Sequence, residues 1–216
     1  MSEYNLERIH WLGHDSFRID GEGGVLYIDP WQLGEDPLKA DIILITHGHQ
    51  DHCSPEDVAK IQGEDTVIVT IKDAAEKLTG LIEIVKPGDA LSLKGVEIEV
   101  LPAYNLTKFR SPGVPFHPKE QGHVGFLVTV DGQRIYHTGD SDVIPEMSGL
   151  EVDIAMLPVS GTYVMTAEEA VEAAEIIQPK VVIPMHVLRG IGSQEDLERF
   201  EKMCPCPVAV LPMEGD

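Results

Sequence analysis

Short apolar, β-branched runs separated by glycine turns fill the first part of the chain. Residues 8–12, 16–19 and 25–28 read as strands, with turn signals at Asp20-Gly21 and Gly23-Gly24. From Ile42 to Thr46 the apolar run is continuous, the pattern of a buried strand. Ser54-Pro55-Glu56-Asp57 then opens a helix, with a capping hydroxyl, a proline at the first helical position and acids in the first turn. Further strands are predicted at 66–71, 82–85, 91–93, 96–101, 124–130 and 133–137. The remainder alternates strand 153–157, helix 166–177, strand 180–184, helix 193–202 and strand 207–211, so the fold class is α/β. No stretch has the Gly/Ser/Pro bias or charge block of a linker, which predicts one domain over residues 1–216.

The pattern repeats. Gly13-His14-Asp15-Ser16-Phe17 recurs as Gly122-His123-Val124-Gly125-Phe126, each followed by a strand, an Asp-Gly turn and a second strand. Those second strands both run into an aspartate, at Asp29 and Asp140. Ala40-Asp41-Ile42 parallels Val152-Asp153-Ile154, both lead to capped helices at Ser54 and Thr166, and Ile61-Gln62-Gly63 parallels Ile177-Gln178-Pro179. Matches in the same order pair residues 8–70 with residues 120–186. Two such halves, each a sheet with helices outside, are expected to pack sheet against sheet and share a cleft along one rim.

Charge then narrows the partners. Of 216 residues, 37 are acidic and 16 basic, a formal net charge of −21. Nucleic acid and anionic membranes need a basic footprint and are not expected partners. A small anionic substrate is still allowed, since a metal ion reverses the field locally. Mean hydropathy is −0.05, and no apolar run approaches the roughly 18 residues of a membrane helix. The start, MSEYNLERIHWL, lacks the basic flank and apolar stretch of a secretory signal. Three cysteines, Cys53, Cys204 and Cys206, are too few for a disulfide scaffold and point to a reducing, cytoplasmic setting. Cys53 reads as a buried thiol, Cys204-Pro205-Cys206 lacks the partners of a zinc knot, and Met147, Met156, Met165 and Met185 read as core or cleft fillers.

The chemistry gathers at predicted strand ends. Thr46-His47-Gly48-His49-Gln50-Asp51-His52 puts four potential ligands directly after a buried strand and before a capped helix. Residues two apart in an extended segment point the same way, so His47 and His49 can grip one ion while Asp51 and His52 address a second. Imidazole and carboxylate without thiolate suit zinc, manganese or iron. Asp140 and His186 end later strands and are the candidates to complete the site, Asp140 as a carboxylate able to bridge two ions.

These residues resemble the metallo-β-lactamase superfamily, whose H-x-H-x-D-H signature stands here as His47, His49, Asp51 and His52. In the same resemblance Asp29 matches the first motif, Asp140 the bridging aspartate and His186 the last histidine. Gly13-His14-Asp15-Ser16-Phe17, Tyr136-His137-Thr138-Gly139-Asp140 and Pro158-Val159-Ser160-Gly161-Thr162-Tyr163 look like the stand-alone branch that includes a sugar-phosphate lactonase. The resemblance implies a four-layer αββα sandwich holding two divalent ions, zinc before manganese or iron, in its cleft. Many relatives place a further histidine after the strand ending Leu101-Pro102-Ala103, where this chain has Tyr104 and Asn105. His117, in a long loop free to reach inward, is favoured over His123 for that ligand. His14 and His123 are repeat mates expected to flank the cleft as supporting or substrate groups.

The implied chemistry is hydrolysis of an ester, lactone or phosphodiester bond in a small, anionic substrate. Two cations about 3.5–4 Å apart share a water whose pKa falls from near 16 to about 7. Asp51 would orient that nucleophile and take its proton, Asp29 would hold a ligating histidine, and Tyr163 would donate to the developing oxyanion. The alternatives are an iron-dependent sulfur dioxygenase-type activity, a nuclease, or a noncatalytic metal module; the charge opposes the nuclease and Asp140 the noncatalytic module. Lys108, Arg110 and Lys119 form a local excess of positive charge within the loop at 104–121 and motivate the anionic substrate.

Overall fold

The computed structural model describes residues 5–214. The first half runs β1 (Ile9–Gly13), β2 (Ser16–Gly21), β3 (Gly24–Ile28), β4 (Ile42–Ile45), α1 (Pro55–Ile61), β5 (Val67–Thr70), α2 (Lys72–Ala75) and β6 (Leu81–Ile84). These strands form one six-stranded sheet in sequence order. The chain continues through β7 (Ala90–Leu93), β8 (Val96–Pro102), a small hairpin β9 (Phe109–Ser111) and β10 (Val114–Pro115), β11 (Val124–Val130) and β12 (Gln133–His137). It ends with β13 (Ile154–Pro158), α3 (Ala167–Ile177), β14 (Val181–Met185) and α4 (Gln194–Met203). The second sheet has the order β14-β13-β12-β11-β8-β7.

Why these segments become these elements is visible in burial. β4 and β13 lie between parallel neighbours, and every residue of both is buried, as expected of parallel strands covered on both faces. α1 is capped by the Ser54 hydroxyl and turns Val58 and Ile61 inward. α3 carries a full capping box at Thr166 and Glu169 and buries five residues, among them Ala170, Ala174 and Ile177. Side chains of both sheets and of α1, α3 and α4 join one buried apolar cluster, including all four singled-out methionines. The expected sandwich of two sheets with helices packed on them holds.

The duplication is explicit in strand direction. β1-β2-β3 is antiparallel and β3-β4-β5 parallel; β8-β11-β12 is antiparallel and β12-β13-β14 parallel. Even a local clamp is copied. The Asp41 carboxylate accepts from the Val25 amide at 2.9 Å and the Asp153 carboxylate from the Arg134 amide at 2.8 Å. The backbone bonds Asp41 to Val25 and Asp153 to Arg134 are copied as well.

The register corrects one detail of the pairing of halves. Phe17 lies opposite Ile28 and Phe126 opposite His137, so the counterpart of Asp29 is Thr138, and Asp140 lies two residues further on. The expected strand 207–211 is also shorter than read. Only Val208 bridges Val182, after which the chain leaves to pair Met213 with Trp11. Pro207 and Pro212 have no amide hydrogen to extend a ladder. The hairpin β9–β10 and the single-turn α2 were not anticipated.

Candidate metal centre

The site lies where strands of both sheets end. Beyond β4 the His52 and Cys53 amides both donate to the His49 carbonyl, at 3.2 and 2.7 Å, and fold the loop back on itself before Ser54 starts α1. Three residues here take left-handed backbone angles that side chains disfavour, His14 (φ 53°), Asp29 (φ 46°) and His186 (φ 58°). Such conformations cost about 1–3 kcal/mol each and persist where surrounding contacts impose them. Asp140 follows Gly139 (φ 60°), where a Cβ would stand 2.7 Å from the Val124 carbonyl oxygen, so the turn requires glycine.

Two groups of donors result: His47, His49, His117 and Asp140, and His14, Asp15, His52 and His186. Within each, the ligand atoms all lie within 4.8 Å of one another. Asp140 joins them. Its Oδ2 faces His117 Nε2 at 3.2 Å and His47 Nε2 at 3.9 Å; its Oδ1 faces His52 Nε2 at 3.3 Å and His186 Nε2 at 3.5 Å. His49 enters through the other nitrogen, with Nδ1 3.0 Å from His47 Nε2.

Each of the four imidazoles aimed at Asp140 is held from behind by its Nδ1. Asp29 Oδ2 stands 2.8 Å from His52 Nδ1, and Asn105 Oδ1 2.9 Å from His117 Nδ1. Ser160 Oγ is 2.9 Å from His186 Nδ1. The Thr46 hydroxyl donates to Asp29 Oδ2 at 2.7 Å, so at 3.0 Å from His47 Nδ1 its oxygen is the acceptor. At His47, His52 and His117 the acceptor behind the ring places a proton on Nδ1 and turns Nε2 toward Asp140, and Ser160 holds His186 in the same orientation, the one a cation requires. His137, fully buried, contacts the Asp15 carbonyl at 2.9 Å through Nε2 and accepts from the Gly139 amide at 3.2 Å, tying the two groups together.

The electrostatics fit the same reading. His52 Nε2, His186 Nε2, Asp140 Oδ1 and both Asp15 oxygens are buried without a hydrogen-bond partner. Folded proteins rarely leave such atoms unsatisfied, and cations would satisfy all of them. Burial lowers the imidazoles to about 4 at His14 and His117 and about 3 at His123, keeping them neutral and able to ligate. Burial pushes His52 and His186 the same way, but Asp140, with Asp29 at His52 and Asp15 at both, outweighs it and raises both, so each holds a proton that a bound cation would displace. Burial also drives Asp15 well above the usual carboxylate range. Burial pushes Asp140 the same way, but the surrounding His52, His186 and His117 outweigh it and hold it well below.

The remaining sequence candidates fall nearby. Asp51 lies outside both tight groups, with Oδ2 3.3 Å from His14 Nε2 and 3.9 Å from His52 Nε2. Burial would raise its pKa, and the contact with His14 together with the His52 charge reverses this and keeps it ionised. His123 stacks on His47, ring centroids 4.7 Å apart, and is not in either donor group. His14, expected as a flanking group, has ligand geometry in the second. A cavity of about 350 Å³ opens onto this centre, lined by His49, Asp51, His117 and Asp140 together with Arg110, Phe116 and Tyr163. Tyr163 is 44% exposed and meets Phe116 edge to face at 4.6 Å. Sequence reasoning missed Asp15, Thr46, Asn105 and Ser160 as site residues. Asp15 carried a signal, directly beside His14 in the repeated glycine-histidine turn.

A family model described as "Beta-lactamase superfamily domain" matches residues 8–186. The chain belongs to the metallo-β-lactamase superfamily. Within it, the chain is 30% identical to a UPF0173 metal-dependent hydrolase of Archaeoglobus fulgidus over 90% of this chain and 89% of the relative. It is 32% identical to another of Pyrococcus abyssi, over 92% of each. The crystal structure of a metal-dependent hydrolase from Parabacteroides distasonis superposes with a TM-score of 0.79 at 34% identity, covering 94% of this chain and 91% of that one. The chain is a metal-dependent hydrolase of this superfamily. Among the described residues no helix is long and apolar enough to cross a membrane.

Proposed function

We propose that this hydrolase cleaves an ester, lactone or phosphodiester bond in a small substrate, using two divalent cations, zinc before manganese or iron. His47, His49, His117 and Asp140 Oδ2 would hold one cation; His14, Asp15, His52, His186 and Asp140 Oδ1 would hold the other. The observation that carries this reading is the division of the Asp140 carboxylate, one oxygen facing each group of imidazoles. When bound, such a pair of cations brings the pKa of a shared water near 7 and polarises the scissile carbonyl or phosphoryl oxygen.

The chain's own residues do the rest. Thr46, Asp29, Asn105 and Ser160 hold the imidazoles in the orientation that presents Nε2 to the cleft. Asp51, ionised and part of the cavity wall, is the group to orient the attacking water by accepting its hydrogen bond. Tyr163 borders the same cavity, its hydroxyl the candidate donor to the developing oxyanion. The lactone on the substrate list is suggested by the sequence resemblance to a sugar-phosphate lactonase and the phosphodiester by the ability of paired cations to polarise a phosphoryl oxygen, and three free thiols support action in the cytoplasm.

The test is to strip the protein with a chelator, reload it with zinc, manganese or iron, and count ions per chain alongside turnover of an aryl ester, a lactone and bis(4-nitrophenyl) phosphate. Two ions per chain and restored hydrolysis are expected. One tightly held iron with dioxygen consumption and no hydrolysis would replace this reading with the oxygenase.

A further inference from the structure

The basic residues of the 104–121 loop are not equivalent. Lys108 is tied to Glu169, with Nζ 2.7 Å from Oε1, and Lys119 to Glu146 at 2.7 Å. Both charges are spent holding the loop to the body of the molecule. Arg110, on β9, has no carboxylate partner among the described residues. It is the cation in the wall of the cavity over the metal centre, in a chain whose net charge is −21. One guanidinium nitrogen donates to the Phe116 carbonyl at 3.1 Å, and the guanidinium carbon lies 5.7 Å from the Phe116 ring centre. Those contacts fix the arm and leave a planar fork suited to an oxyanion. Beside it, Phe116 and Tyr163 pack edge to face at 4.6 Å and form an aromatic wall of the same cavity.

We propose that Arg110 binds a carboxylate or phosphate group of the substrate remote from the scissile bond, with an apolar or planar part of the substrate against Phe116 and Tyr163. The substrate class is therefore an ester or phosphoester carrying a second, non-reacting anion. This rests on the hydrolytic reading for its kinetics and stands apart from it for binding. Arg110 is exposed, so its replacement leaves no buried cavity.

The kinetic arm compares zinc-loaded wild type, Arg110→Ala and Arg110→Lys on mono(4-nitrophenyl) succinate and on the neutral 4-nitrophenyl pentanoate. The ratio of kcat/KM for the anionic over the neutral ester is expected to fall about tenfold in Arg110→Ala, the loss of one charge-assisted hydrogen bond. Arg110→Lys should restore part of it. An equal change on both esters would overturn the proposal. The binding arm titrates the same proteins calorimetrically with phenylphosphonate and benzoate and decides the matter even if neither ester turns over. An Arg110-dependent loss of affinity for either probe supports the proposal and identifies the anion as phosphoryl or carboxylate. Equal affinities of wild type and Arg110→Ala for both probes refute it, whatever the outcome for hydrolysis.

Discussion

The two halves of the molecule have the same scaffold and different chemistry. Between β4 and α1 the first half supplies His47, His49, Asp51 and His52; between β13 and α3 the second half supplies no imidazole, and its Ser160 steadies His186 instead. The second half contributes single donors from separate places, Asp140 after β12 and His186 after β14, and the loop that joins the halves adds His117 before β11. A duplicated sheet keeps what folding needs, as the matched Asp41 and Asp153 clamps show. A site built at the seam needs only one imidazole-rich loop, provided the other half returns a carboxylate that faces both groups.

The sharpest way to break this asymmetry is to remove that carboxylate. Asp140→Ala is expected to empty both groups of metal and lower kcat/KM roughly a thousandfold, the equivalent of about 4 kcal/mol. His117→Ala should lose about one ion per chain and keep the other, whereas His123→Ala should keep both. Metal analysis by plasma mass spectrometry checks all three. Loss of an ion in His123→Ala with retention in His117→Ala would exchange the roles of these two histidines.

The sequence made one side of the comparison far easier to read than the other. His47 to His52 announce themselves because four donors crowd one strand-to-helix junction. β4, β13 and β14 could be placed because parallel strands buried on both faces are uninterrupted apolar runs. Asn105 behind His117 and Ser160 behind His186 are ordinary polar residues until the fold brings each to an imidazole 12 or 26 positions away. The charge excess at Lys108, Arg110 and Lys119 looks like a unit in the sequence for a similar reason. The glutamates that neutralise two of the three lie 61 and 27 positions along the chain.

A smaller effect comes from the hydroxyls behind the ligands. Thr46 in the first half supports both His47 and Asp29, and Ser160 in the second supports His186 alone. Thr46→Val and Ser160→Ala are each expected to weaken metal binding about 10–100-fold, the usual cost of losing a ligand's outer hydrogen bond. Thr46→Val should weaken both cations, since Asp29 also orients His52, and Ser160→Ala only the one held by His186. Competition with a chromophoric chelator resolves the two affinities. An equal loss at both positions in Ser160→Ala would contradict the assignment of His186 to one group.

The smallest effect belongs to the duplicated clamps, which differ only in surroundings. Asp153 accepts from the Arg134 amide at 2.8 Å and pairs with Lys180 at 2.8 Å, its side chain 19% exposed; Asp41 is 42% exposed and its lysine, Lys94, stands at 3.4 Å. Burial would raise the Asp153 pKa, but the Arg134 amide and Lys180 together bring it below the ordinary value of 3.8. A carboxyl with a lowered folded pKa stabilises above its unfolded pKa, and that contribution is lost as pH falls through the folded value. Asp153→Asn is therefore expected to cost about 1 kcal/mol near neutral pH, lowering Tm by roughly 2–4 °C, with a smaller cost for Asp41→Asn. Melting curves from pH 7 downward should show the gap between wild type and Asp153→Asn steady above about pH 4 and closing below it. A gap that stays constant down to about pH 2 would mean that the carboxylate does not act through its charge, and one that widens on acidification would mean that its folded pKa is raised rather than lowered.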